Sequence, residues 1–171
     1  MSLQLIFVVE TRKSCKSDWI YIKDTIDHFY QIDQAHTKIS VVYMDSKSTY
    51  RSPKTKKKIQ EKISQFSPRE SRVIYCFDCD DYDSKYEDQK FLGDAKQYCK
   101  DKGYDYVWFC KDIEHVYIGE RVPDKKKKSV SAGFSVNKRI RNVDTRTLCV
   151  DNYRIKSSNI MKVLDTHLNR K

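Results

Sequence analysis

The sequence predicts an α/β fold: a small, mostly parallel sheet flanked by helices, followed by a basic C-terminal extension. Three observations predict it. Short apolar runs recur at residues 3–9, 39–44, 72–77 and 106–110. The segments between them carry apolar residues three and four apart, the helical period. The connections are short, and strands alternating with helices in this way pair in parallel.

The elements follow in order. Residues 3–9, Leu-Gln-Leu-Ile-Phe-Val-Val, form a near-continuous apolar run and read as a buried strand, with Glu10 directly after it. Ser17 or Asp18 is suited to cap a helix whose apolar face holds Trp19, Ile22, Ile26 and Phe29. Residues 39–44 form a second strand, ended by Asp45. Ser52-Pro53 is a helix-start signal, and Ile59, Ile63 and Phe66 continue that helix's stripe. The third strand, 72–77, runs into Asp78-Cys79-Asp80-Asp81. A helix bearing Phe91, Ala95 and Tyr98 then stops near Gly103, a natural C-cap. Residues 106–110 are a fourth strand, with a short helical segment at 114–118. From 120 to 131 no apolar period remains, so this stretch reads as an exposed basic loop. Residues 134–150 suggest one or two short strands. Ser157 or Ser158 caps a last helix carrying Ile160, Leu164 and His167 or Leu168. The organisation is one α/β domain over 1–120, with 121–171 completing it.

A length of 171 residues suits a single core. No run is long enough to cross a membrane, and the first residues lack the basic start and cleavage site of a signal peptide, so a cytoplasmic location is expected. The formal net charge is +10, distributed unevenly: residues 1–102 hold 19 basic and 16 acidic residues, and 103–171 hold 15 and 8. Such an excess suits a polyanionic partner, because lysine and arginine at a phosphate backbone release counterions. Only four glycines occur, so neither a dinucleotide fingerprint nor a P-loop can be written. A nucleophile elbow and a zincin helix are equally absent.

Six cysteines without a secretory signal are expected as free thiols. Cys76 and Cys79 form one C-x-x-C. It lies on a strand, where residues three apart point to opposite faces and converge poorly on zinc. The four histidines show no metal spacing.

The sharpest local feature is acidic. Asp78-x-Asp80, with Asp81 and Asp83 behind it, follows a buried strand, and carboxylate oxygens there suit a hard cation such as Mg²⁺ or Mn²⁺. The alternative is a solvated acidic turn. It is no EF-hand, lacking the glycine and the terminal glutamate. Glu10, 68 residues earlier, ends the first strand and is a plausible spatial neighbour. Ligand sites of parallel α/β sheets lie beyond the carboxyl ends of their strands. Three carboxylates gathered there repel unless a proton or cation sits among them.

These pieces together resemble a known family. Leu5-Ile6-Phe7-Val8-Val9-Glu10, the helix with Trp19-Ile20-Tyr21, Val73-Ile74-Tyr75-Cys76-Phe77-Asp78-Cys79-Asp80-Asp81, and Val107-Trp108-Phe109 leading to Ile113-Glu114-His115-Val116-Tyr117 are similar to the Toprim domain, and within it to RloB-like proteins. The resemblance spans roughly residues 3–120. Where the family has glycine after its first glutamate, this chain has Thr11. The resemblance implies a Toprim-like fold, bound Mg²⁺ (or Mn²⁺), and nuclease-type phosphodiester cleavage in bacterial or phage defence. By motif position, Asp78 and Asp80 would be metal ligands, Glu10 a ligand or general acid/base, and Glu114 an auxiliary acid. Lys111 or Lys13 would stabilise charge at phosphorus. The family also admits a partner ATPase or defence protein.

Of the basic stretches, Lys54, Lys56, Lys57 and Lys58 open the second helix and read as a solvated face. Lys125, Lys126, Lys127 and Lys128, with Lys138, Arg139 and Arg141, are the expected track for a nucleic-acid backbone. Tyr50, Phe134 and Tyr153 are candidate stacking partners set against ordinary packing. The expectation is a Mg²⁺-dependent nuclease-type protein acting on DNA or RNA. The alternative is a non-catalytic nucleic-acid or protein-binding module on the same fold.

Overall fold

The computed structural model describes residues 1–171. Its elements in chain order are β1 (Leu3–Val9), α1 (Ser17–Phe29), β2 (Tyr30–Gln31), β3 (Thr37–Tyr43), α2 (Pro53–Phe66), β4 (Glu70–Asp78), α3 (Tyr86–Lys102), β5 (Asp105–Cys110), α4 (Ile113–Tyr117), α5 (Asp124–Val136), β6 (Ser157–Ser158), α6 (Ile160–Leu164) and β7 (Asn169–Arg170). Short 3₁₀ turns lie at Lys47–Thr49, Arg139–Asn142 and Thr145–Leu148.

The main sheet has the order β3-β1-β4-β5-β6. The first four strands are mutually parallel, and only the two-residue β6 runs antiparallel, against β5. A small β2-β7 ladder ties the last residues to the end of α1. The apolar strand runs are continuous because both faces are covered. Leu5, Phe7, Val9, Ile74, Cys76, Val107 and Phe109 pack under α1, α4, α5 and α6. Ile6, Val8, Val73, Tyr75, Phe77, Trp108 and Cys110 pack under α2 and α3. Cys76 and Cys79 fall in these two different clusters, on opposite faces as strand alternation requires.

The polar residue within the first run is accounted for. Gln4 is fully buried, donates to Lys62 O (3.1 Å) and Ser71 Oγ (2.9 Å), and accepts from Ser40 Oγ (2.9 Å). One amide thus links β1 to both neighbouring strands and to α2. Ser52 caps α2 by accepting from Thr55 N, with Pro53 at the first position, and Gly103 ends α3 at φ 68°. On α3 the buried face is Leu92, Ala95 and Cys99. The expected Phe91 and Tyr98 lie to its side and are partly buried, so the stripe is turned by one residue at those two positions.

The C-terminal third departs from expectation. The lysine run expected as a loop is the first part of α5, a 13-residue helix packed on α1 through the buried Ser131 and Phe134. The expected strands in 134–150 are 3₁₀ turns, seated by Ile140 and Leu148 in the core. The last helix is not capped by serine; Asn159 occupies that position without a side-chain cap, while Ser158 Oγ accepts from Ile160 N (3.1 Å).

Asn159 instead has a larger task. Its Oδ1 accepts from Trp108 N (3.0 Å) and its Nδ2 donates to Tyr106 O (2.9 Å). The side-chain amide therefore bonds the two backbone groups on the free edge of β5, just as a neighbouring strand would. Replacing Asn159 by alanine strands both groups in a part-buried setting. We expect a loss of about 1–3 kcal/mol in urea-unfolding stability, with Asn159→Asp recovering less than half. An unchanged unfolding midpoint for Asn159→Ala would show that this edge needs no partner.

Candidate metal centre

The strand order sets a switch point, termed the crevice below, where the acidic residues were expected. From β1 the chain leaves through α1 toward β3, and from β4 it leaves through α3 toward β5. The two strands are neighbours, so their following loops part in opposite directions. The carboxyl ends of β1 and β4 are therefore uncovered by backbone, the position at which α/β sheets bind ligands. Glu10 and Asp78 stand at those two ends. Asp78 N donates to Glu10 Oε1 at 3.4 Å, so the 68-residue separation is closed in space.

Three further carboxylates face the same volume. Asp18, on the first turn of α1, is buried rather than capping; the cap position is Lys16, which makes no side-chain cap bond. Asp112 caps α4 by accepting from His115 N (2.8 Å) and also meets His115 Nδ1 (2.9 Å). Glu114 is completely buried, and neither carboxylate oxygen has a hydrogen-bond partner. Asp78 has one such bond, accepting from Ile113 N (2.9 Å), which fixes β4 to the start of α4.

Crowding and burial move the protons. Desolvation, then the charges of Asp18 and Asp80, push Glu10 well above the usual carboxylate range. Desolvation, followed by Glu10, Asp18 and Glu114, does the same to Asp78. Burial raises Asp18 to about 6 and Glu114 to about 7, Lys127 opposing both.

Two lysines answer this charge. Lys127 of α5 lies with Nζ 3.9 Å from Glu114 Oε1 and is the cation among the inner carboxylates. Lys47, on the 3₁₀ turn after β3, pairs directly with Asp80, sits 3.7 Å from Asp88, and lies 4.9 Å from the Phe91 ring centre. Asp80 is half-exposed and adopts φ 49°, its N–H bonded to Lys111 O (2.7 Å).

The expected site residues thus divide. Glu10, Asp78 and Glu114 converge with Asp18 and Asp112, whereas Asp80 lies beside them and is held by Lys47. Lys111 Nζ sits 3.7 Å from Asp81 and 3.4 Å from Asp83, balancing the loop after β4. Asp45 is exposed and paired with Lys54 (3.7 Å), outside the crevice. Of the lysine run, Lys125, Lys126 and Lys128 are exposed and Lys127 turns inward. Lys138, Arg139 and Arg141 are exposed on the following turn. Tyr50 and Phe134 are core residues, and Tyr153 packs edge-on against Trp108 at 5.0 Å, so packing accounts for all three stacking candidates.

The donor set fits a hard divalent cation in chemistry. Its atoms are carboxylate oxygens, their mutual repulsion is offset by few cations, and Glu114 keeps two buried oxygens unpartnered. As arranged, no group of three His, Cys, Asp or Glu side chains is gathered closely enough to enclose an ion. Asp18, Asp112 and Lys47 were missed as site residues, and Lys127 was expected on the nucleic-acid track and not beside the carboxylates. Asp18 carried the only available signal, since Ser17 beside it made a second capping residue redundant. No helix of the structure is long and apolar enough to cross a membrane. Comparison of the chain with protein-family models, curated proteins and solved structures gives no match.

The raised carboxyl groups have a definite sign. The folded protein holds protons that the unfolded chain has already released, so stability falls as pH climbs from the ordinary carboxylate range through about 6 for Asp18 and about 7 for Glu114. Glu114→Gln removes part of that penalty. In denaturant titrations it should gain on the order of 1–3 kcal/mol over the wild type at pH 8, and nothing at pH 4. An equal difference at both pH values would mean that the buried charge is not its source.

Proposed function

We propose that the chain is a Toprim-like, divalent-cation-dependent phosphodiester-cleaving protein that acts on nucleic acid. The observation that carries this reading is the pair Glu10 and Asp78, side by side at the ends of two neighbouring strands whose connections diverge, in a chain of net charge +10. Carboxylates in that place repel phosphate unless a cation intervenes, and the surrounding basic surface attracts it. Glu10 and Asp78 would hold the ion, with Asp80 available once Lys47 is displaced. A Mg²⁺ or Mn²⁺ ion bound there supplies charge that polarises a phosphate oxygen and stabilises the leaving oxygen. Glu10, whose proton affinity burial and the neighbouring carboxylates raise, is suited to accept or return a proton at Oε1 or Oε2. Lys127 positions Glu114 and limits the negative potential behind them. The family resemblance adds a role in bacterial or phage defence, with a partner ATPase as one associate.

One observation favours the second reading, a binding module without catalysis. Lys47 already neutralises Asp80, and Lys127 already sits among the inner carboxylates. A lysine can take the place of a metal in balancing charge, and a site so balanced need not recruit one.

The two readings separate in one assay. Labelled single-stranded DNA, duplex DNA and RNA are incubated with Mg²⁺, with Mn²⁺ and with chelator. We expect cleavage only with an ion, and a loss of about 100-fold or more in Glu10→Gln and in Asp78→Asn. Variants that cleave at the wild-type rate would remove this site from the chemistry. Binding in chelator with no cleavage under any ion would leave the module reading.

A further inference from the structure

The open edge of the sheet carries a second feature outside the acidic crevice. β3 is the terminal strand, and a groove of about 650 Å³ runs beside its carboxyl end between α1 and α2. That volume lies within the range of small-ligand sites. Its apolar wall is Trp19 with Val41, Val42 and Tyr43. Its rim holds Lys13, Lys16, Lys58 and Lys62, none of which forms a salt bridge. Of the two carboxylates at the rim, Asp45 is already paired with Lys54, which leaves Glu61.

We propose that this groove binds single-stranded nucleic acid, with a base against the Trp19 indole and the Tyr43 ring and the flanking phosphates on Lys13, Lys16 and Lys62. The inference rests on the nucleic-acid reading given above and names where the chain enters the site. Three observations support it. First, Lys13, Lys16 and Lys62 carry positive charge with no carboxylate paired to it, which suits phosphates. Second, the aromatic wall is partly exposed: Trp19 rests on Phe7 (ring centres 5.5 Å apart) and is not enclosed by it. Aromatic faces beside lysines are the common platform for unpaired bases, whose stacking tolerates any sequence. Third, the groove adjoins the crevice. Trp19 follows Asp18, and successive helical residues point about 100° apart, so one side chain faces the acidic centre and the next faces the groove. Lys13 lies on the loop that leaves Glu10. A strand lying in the groove would bring its next phosphodiester to the carboxylates.

A peptide strand fits this edge less well. Met44 N bonds Val9 O, so by alternation the Tyr43 carbonyl faces outward, and Lys58 Nζ already donates to it at 2.9 Å. A lysine placed there blocks the pairing that an added strand requires.

The test uses the full chain in chelator, with dT and rU dodecamers as probes, so that cleavage does not interfere. Trp108 is buried, so Trp19 dominates any change in tryptophan emission on binding. We expect both oligonucleotides to quench emission. The charge reversal Lys13→Glu with Lys62→Glu should weaken binding at least tenfold and reduce the salt slope by about 1.4, the value for two single-strand phosphate contacts. The same reversal at Lys90 and Lys96, exposed on α3, should change affinity less than threefold. An equal loss at Lys90 and Lys96 would reduce the effect to overall charge and overturn the groove. So would unquenched emission, or a wild-type dimer dissociated by the groove reversal, which would assign the edge to a second copy. Quenching without cleavage in any ion supports the groove while removing the catalytic reading. Cleavage without quenching removes the groove alone.

Discussion

Five carboxylates gathered at the ends of two buried strands set the electrostatic constraint around which this molecule is arranged. Parallel pairing of β1 and β4 brings Glu10 beside Asp78, and divergence of their connections leaves that place uncovered by backbone. Like charges at such spacing, in a poorly solvated setting, cannot all ionise without compensation. Much of the surrounding structure supplies it. Asp78 is bonded by the first amide of α4, Asp112 by an amide of the same helix, and α5 lies across α1 so as to deliver Lys127. The helix after the crevice and the helix after that are thus held partly by the charge they help to balance.

The same constraint explains why the C-terminal third was hard to read. Helical periodicity is recognised when the buried face is apolar. In α5 the inward face near its start is Lys127, and its neighbours Lys125, Lys126 and Lys128 are indistinguishable from it in composition. A helix whose first turns meet carboxylates carries no hydrophobic signature there. Phe134, two turns on, carries one but was read as part of a strand. The turns at 139–148 likewise hold isolated apolar anchors, Ile140 and Leu148, too sparse to define a period.

The earlier elements were legible for the opposite reason. β1, β3, β4 and β5 are covered by helices, β1, β4 and β5 on both faces, so their sequences hold continuous apolar runs, and Ser52-Pro53 and Gly103 mark helix limits by local backbone chemistry alone. Within the site, the residues directly following strands were found, because strand ends are visible in sequence. Asp18 and Asp112 were not, because each precedes or opens a helix, where an acidic residue has an ordinary capping explanation. Only the fold distinguishes Asp112, which does cap, from Asp18, which turns inward. Lys47 was missed because its partner Asp80 lies 33 residues away, with no local pattern to join them.

The two margins of the sheet are unlike. On the β5 side the backbone is closed by two serines and one asparagine side chain, leaving almost no ladder to extend. On the β3 side a seven-residue strand pairs with β1 and leaves its outer edge without a partner strand. Growth of the sheet by addition of like molecules could therefore start only from the β3 margin, and there Lys58 already occupies the Tyr43 carbonyl. Two copies meeting there would consume both free margins, and a third could not join. Whatever use the cell makes of that edge, the opposite margin carries a terminator against sheet growth, built from two serines and a single side-chain amide.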